Sequence, residues 1–232
     1  ANLRNRLQGI GGKPISKHAG IVEVPNSYIC ARKGIGALFI RDAAPFSLKL
    51  MESLLAESPQ HRELLQALAS GFTQYAYAFA ALPADALEEK DLSAATTGRE
   101  RAKRLYLRAR NYGLRGLEVR HPGFEKLIRT NPASALRVTR KADVHLLYWT
   151  AASWAANISL SKDSPDAIAD LPLAAALMDR ALALDEKFDD GAIHSFLITF
   201  ELARPGAGPD AVAKARQHFA RRATALLSIT TR

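Results

Sequence analysis

One cysteine, Cys30, stands in the whole chain. A lone thiol builds neither a disulfide framework nor a cysteine-based metal site within one chain, and it suits cytosol and periplasm equally. Long apolar runs are also missing: nothing approaches the roughly 18–20 consecutive apolar residues that a membrane-crossing helix needs. The first residue is Ala1 and no signal-peptide pattern follows it, as in a chain whose leader has been removed. Ile29-Cys30 lacks the apolar run and small residues of a lipoprotein cleavage site. The marks of catalysis are scarce. His18, His61, His121, His145, His194 and His218 show no pairing at metal-ligand spacing, and no His-Glu-x-x-His occurs. There is no nucleophile-elbow motif. Gly34-Ile35-Gly36 is too short for a phosphate loop and has no lysine to complete one. Asp189, Asp190 and His194 come nearest to a cluster and read as a helix cap beside a packed histidine. Asp85, Glu88 and Glu89 read as a solvated acidic patch. No metal and no cofactor are expected, and an enzyme such as a hydrolase on a helical scaffold is the least supported class.

What the chain does have is aliphatic bulk. Hydrophobic residues make up 48% of its 232 positions, with alanine and leucine dominant, which is ample for the core of a helical protein. The net charge of +9 is uneven, and counting along the sequence places +10 on residues 99–141 alone. Such a block either faces an anionic partner or forms a solvated helix face. Tyr106 and Tyr112 interleave with the arginines, but no nucleic-acid motif accompanies them and no nucleic-acid partner is expected.

Residues 1–40, rich in Gly, Lys and Arg, read as an irregular arm with short β-favouring pieces at 21–24 and 37–40. Residues 41–232 read as a single helical domain. Pro45 suits a first helical position, and Phe46, Leu48, Leu50, Met51, Leu54 and Leu55 follow at helical spacing until Ser58-Pro59. Leu65, Leu68, Ala69 and Phe72 then repeat at three- and four-residue intervals, and the helix runs on through Tyr75, Tyr77 and Phe79 to Leu82-Pro83. Residues 83–98 look like a connection with one helical turn. A long helix over 99–120 stops at Arg120-His121-Pro122-Gly123, and two short helices follow. Asp143 is placed to cap the next helix, in which Leu147, Thr150, Ala151 and Trp154 repeat the spacing seen at 65–72. Residues 166–185 form its partner, with Ala174, Met178 and Ala181 at the packing positions. Asp189-Asp190-Gly191 opens a helix bearing Ile193, Phe196, Leu197 and Phe200. Residues 204–209 break the chain, and Asp210 caps a last helix. The fold class is therefore all-α. The recurring hairpins are of a tetratricopeptide-like kind, stacked into a compact solenoid, because a helical hairpin cannot bury its apolar face alone.

Several blocks carry a family resemblance: 44–59, 67–79, 106–117, 147–156, Asp170-Leu171-Pro172 through Leu184-Asp185, and 191–196. In this order they resemble the TRAP transporter T-component (TatT) family over roughly residues 41–228. The resemblance implies a non-enzymatic, periplasmic accessory protein of a tripartite ATP-independent transporter, lipid-anchored in its full precursor. Its implied partner is the transporter's periplasmic substrate-binding protein, with a small organic ligand in addition. It admits a homo-oligomer, and contact with the membrane only through the lipid anchor. The alternative is a general scaffold for proteins or peptides, unrelated to transport.

The candidate contact residues are Tyr75, Phe79, Tyr148, Trp149, Asn157, Arg104 and Arg108. The aromatics belong to first helices, which line the concave face of tetratricopeptide stacks, and their broad surfaces suit a ligand or partner. The same side chains also suit packing between helices, to which Phe72 and Trp154 are assigned. Asn157 in an apolar helix needs a hydrogen-bond partner if it is buried. Arg101, Arg104 and Arg108 share one face of the long helix and could grip anions, whereas Arg110 is displaced from that face. On the contact reading, Trp149→Ala lowers affinity more than stability.

Overall fold

The computed structural model describes residues 35–204 and 207–230. Every regular element among them is helical: α1 (Ile35–Glu57), α2 (Arg62–Ala76), α3 (Leu82–Leu87), α4 (Leu92–Arg120), α5 (Phe124–Thr130), α6 (Pro132–Arg137), α7 (Val144–Ser159), α8 (Pro165–Ala169), α9 (Leu171–Leu184), α10 (Ala192–Ala203) and α11 (Ala211–Thr230). A π turn, Tyr77–Ala81, joins α2 to α3 without a break, and 3₁₀ turns at Lys141–Asp143 and Phe188–Gly191 lead into α7 and α10. No helix among the described residues is long and apolar enough to cross a membrane.

Local chemistry sets most of the boundaries. The His61 ring accepts the Leu64 amide at 3.3 Å, Asp91 the Ala94 amide at 2.9 Å, Asn131 the Ser134 amide at 3.1 Å and Ser164 the Ala167 amide at 3.3 Å, so α2, α4, α6 and α8 begin on capping side chains. The long helix stops where expected, at His121-Pro122-Gly123. Gly123 turns the chain with φ 84°, and Glu118 reaches past it to accept the amides of Gly123 and Glu125 at 2.5 and 2.9 Å.

The core lies around α7, which packs against α4 on one side and α9 on the other, while α2 lies against both α4 and α7. Ala174, Met178 and Ala181 are buried on α9, as their spacing predicts. Close approach of α4 to α7 depends on two glycines three residues apart. A Cβ on Gly113 would sit 2.1 Å from Thr150 Oγ1, and one on Gly116 would sit 2.7 Å from a Leu146 methyl. Helix α1 rests on α2 through Leu48 and Leu55, leaving Phe46, Leu50 and Leu54 exposed. Helices α10 and α11 pack on each other and on the Phe188–Gly191 turn.

Several boundaries differ from the sequence expectation. Pro45 lies inside α1 rather than at its start, since that helix already begins at Ile35. Its missing amide would have bonded the carbonyl of Arg41, an exposed residue, so water can serve that group instead. Residues 37–40 are helical, and residues 1–34 lie outside the described residues. The region 83–98 is more helical than the connection with one helical turn expected there: it holds α3 and the first turns of α4. The helix expected over 166–185 is divided at Asp170 into α8 and α9, with Pro172 in the first turn of α9. Asp143 occupies the cap position of α7 but makes no capping bond; its oxygens are turned to other groups. Asp189 and Asp190 do not cap α10 either, for Gly191 takes that position.

Candidate partner-binding face and aromatic core

Two regions gather the side chains singled out by the sequence. The first is the face shared by α1, α2 and α4. Helix α4 exposes Arg101, Arg104, Arg108 and Arg115 along one stripe, because steps of three, four and seven residues return to the same side of a helix. Arg101 donates to Tyr75 Oη at 3.2 Å and lies over the same ring, 5.8 Å from its centroid. The Tyr75 ring in turn tilts against Phe79 at 5.3 Å, and the π turn holds Phe79 half-buried beside it. Arg108 lies 5.0 Å over Phe72, which stacks on Tyr112 at 5.9 Å. At the centre is Glu52 of α1, whose side chain is 8% exposed. It pairs with Arg108 and accepts the Tyr112 hydroxyl at 2.6 Å. Burial opposes charge on Arg108, but Tyr112 and Glu52 outweigh it and raise its pKa above the usual value. Burial, together with the bond to Glu52, raises the Tyr112 phenol. Arg104 is exposed and makes no ion pair or hydrogen bond among the described residues.

Arg110, displaced from this stripe, points the other way. With Arg129 it flanks the buried Trp154, the guanidinium carbons 5.1 and 5.2 Å from the ring. Trp154 Nε1 donates to Asp170 at 3.1 Å. Burial, then the charge of Arg129, lowers the Arg110 pKa.

The second region is internal. Tyr148 is fully buried and Trp149 is 3% exposed. Asn157, also buried, donates to the Lys103 carbonyl at 3.2 Å, which supplies the partner its position demands. Tyr148 and Trp149 meet edge to face at 5.0 Å and are joined by His145 and Phe188. The structure thus brings Phe79, Arg104 and Arg108 to one accessible face, with Tyr75 buried beneath it at 8% exposure, and buries Tyr148, Trp149 and Asn157 along α7.

Two carboxylates have anchoring roles that the sequence reading missed: Glu52, and Asp143, which it took for a helix cap. Glu52 sits within an apolar helical repeat, an acidic residue where Leu48, Met51 and Leu55 face the core, and that misfit is the signal that could have found it. Asp143 is fully buried and accepts from Arg62 at 2.9 Å, Arg120 at 3.3 Å, the Arg140 amide at 2.9 Å and, at 3.0 Å, faces His121. Burial alone would raise its pKa, but the Arg140 amide, His121 and Arg120 outweigh it and hold the carboxyl below its ordinary range. Nor is the acidic patch at 85–89 simply solvated: Arg99 bridges Asp85 at 3.3 Å and Glu88 at 2.9 Å. Among the described residues, no group of three His, Cys, Asp or Glu side chains is arranged to hold a metal ion.

The family described as TRAP transporter T-component matches this chain over residues 38–228. A protein of Treponema pallidum (strain Nichols), described as uncharacterized, is 32% identical over 191 residues. That alignment takes in 78% of this chain but 58% of the relative, so the chain spans little more than half the length of the protein it matches.

Proposed function

Because this chain belongs to the TRAP transporter T-component family, we propose that it is a non-enzymatic periplasmic accessory component, lipid-anchored in its precursor, that docks the transporter's substrate-binding protein. Helices α2 with α4 and α7 with α9 serve as successive tetratricopeptide-like hairpins in this reading, with α4 turned outward as the docking helix. One observation carries it: Arg101, Arg104 and Arg108 stand exposed in a row beside Tyr75 and Phe79. Arginine and tyrosine are the residues most enriched at the energetic centres of protein interfaces. Their geometry is also fixed in advance, because Glu52 and Phe72 hold Arg108 and Tyr75 holds Arg101. Side chains already ordered lose less entropy on binding. Arg104, with no internal carboxylate to satisfy, is left for a partner's acid.

The test is direct binding of the full chain to the cognate substrate-binding protein, measured by surface plasmon resonance at two salt concentrations. Binding should weaken as salt rises, and the double variant Arg101→Ala, Arg104→Ala should lose about tenfold or more in affinity, a cost of about 1.4 kcal/mol. A wild-type chain that ignores the binding protein, or a double variant that binds as well as wild type, overturns the reading.

A further inference from the structure

The side chains of His145, Tyr148, Trp149 and Phe188 close a circuit of four rings. His145 lies 6.2 Å from Trp149, Trp149 5.0 Å from Tyr148, Tyr148 5.3 Å from Phe188, and Phe188 5.8 Å from His145, the last contact edge to face. Three of the rings come from one face of α7, at positions three and four residues apart. The fourth comes from the turn between α9 and α10. Phe188 and His145 are half-buried and form the outer side of the circuit; Tyr148 and Trp149 form its floor.

Two further observations fall on the same place. Tyr148 Oη and His145 Nδ1 are both buried without a hydrogen-bond partner. Buried polar groups are nearly always paired, and leaving one unpaired costs on the order of 1–3 kcal/mol. Two such atoms in one four-residue cluster mark a place built to meet a polar group from elsewhere. The turn bearing the fourth ring is also strained. Asp189 and Asp190 take left-handed conformations, φ 44° and 54°, before Gly191 at φ 83°. Aspartate visits this region more readily than most residues, but as a single residue, so two in succession carry strain, and strained backbone gathers at sites that open or bind.

We propose that this circuit is a binding site for a small neutral ring compound carrying one hydroxyl or carbonyl group, which enters by displacing Phe188 together with its turn. The ring of the ligand takes the place of the Phe188 ring against Tyr148 and His145, and its polar group satisfies Tyr148 Oη and His145 Nδ1. A neutral ligand is favoured because the polar groups of the site are themselves uncharged. Burial pushes the His145 imidazole down to about 4 and raises the Tyr148 phenol, so near pH 7 both stay neutral. The charged neighbours that act on them, Arg62 on His145 and the opposed pair Asp189 and Arg222 on Tyr148, leave no single sign to select an ion. This gives a place and a chemistry to the small ligand of the transport reading. It is tested without the substrate-binding protein, so its failure leaves the docking reading to stand or fall separately.

The experiment is calorimetric titration of the full chain with phenol, toluene and benzoate at pH 7. Phenol should bind saturably, about tenfold more tightly than toluene, which has no hydroxyl, and more tightly than anionic benzoate. Tyr148→Phe should erase the preference for phenol over toluene without lowering the melting temperature, since it deletes a group with no partner. Phe188→Ala, which removes the roof, should speed phenol association in stopped-flow fluorescence. Three results each overturn the proposal: no saturable heat with any of the three probes, equal affinity for phenol and toluene in the wild type, or a crystal structure soaked in phenol in which only a water joins Tyr148 and His145.

Discussion

Gly113 of α4 lies directly against Thr150 of α7: a methyl group on the glycine would stand 2.1 Å from the threonine hydroxyl, 3.0 Å from its Cβ and 3.3 Å from its Cα. The last two atoms cannot swing away, so the helix axes themselves would have to separate. Replacing Gly113 by alanine should cost stability even though alanine is the better helix former. An overpacking cost of up to about 3 kcal/mol set against a propensity gain of about 1 kcal/mol leaves a net loss of up to about 2 kcal/mol in urea denaturation. Thr150→Ala in the same chain should recover part of that loss. A Gly113→Ala chain as stable as wild type would show that α4 and α7 lie further apart than described.

Asp143 should be among the least replaceable polar residues. Asp143→Asn keeps the shape but removes the anion that Arg62, Arg120 and His121 share. A loss of about 3 kcal/mol is expected in chemical denaturation, because removing one partner leaves the others uncompensated. With its folded pKa below the unfolded one, the aspartate contributes stability that is present above about pH 4 and lost as the pH falls through the folded value. The Asn variant should therefore show a flatter acid limb than the wild type.

Mild acid should act earlier, through histidine. Burial lowers the pKa of His145, His194 and His218, and the last two rings meet Nδ1 to Nδ1 at 2.9 Å. A histidine depressed in the folded state gives up stability as pH drops below its unfolded value of about 6.5, because the unfolded chain takes the proton first. For His145, folded pKa about 4, the loss should reach about 1–2 kcal/mol by pH 4 after allowing for its partial exposure. Asp179 and Asp189, raised by burial, work in the opposite sense as they titrate. Melting temperature followed from pH 7 to pH 4.5 should fall, and His145→Gln should shallow that slope.

Trp149→Ala should cost more stability than affinity for the substrate-binding protein. The side chain is 3% exposed, and deleting a buried tryptophan costs about 3–5 kcal/mol. This reverses the order expected from the sequence. By contrast, Arg104→Ala should stay within about 0.5 kcal/mol of wild type, as exposed substitutions away from structural features do. Parallel melting and binding measurements on the two variants separate the roles.

The legible parts of the fold are those written locally. Asn131, read as the start of a short helix, has its capping partner three residues away, and the stop at Arg120-His121-Pro122-Gly123 lies in four consecutive letters. Arg101, Arg104 and Arg108 were placed on one face by spacing alone, with Arg110 off it, and they lie so. What escaped depends on residues far apart in the chain. Asp143 was assigned as a cap because its side chain suits one; the arginines that claim it instead come from 81 and 23 residues away. Tyr148 and Trp149 suited either packing between helices or the concave face, and spacing alone did not choose between them. Helix α7, however, is covered by α4, α2 and α9 at once, and that depends on how four helices assemble rather than on any one of them. His145 and Phe188 went unnoticed beside them because the contact between α7 and the 188–191 turn spans more than forty residues.

The π turn at Tyr77–Ala81 amounts to one residue more than a straight helix needs. That surplus swings everything after it by about 100° around the axis, and Asp85 meets Arg99 in the orientation it produces. Length at this point is thus a variable in its own right: a related chain one residue shorter here would present its α3 by a different edge. A gap in an alignment at residues 77–81 should accordingly coincide with loss or relocation of the Asp85–Arg99 pair, even where the surrounding letters agree.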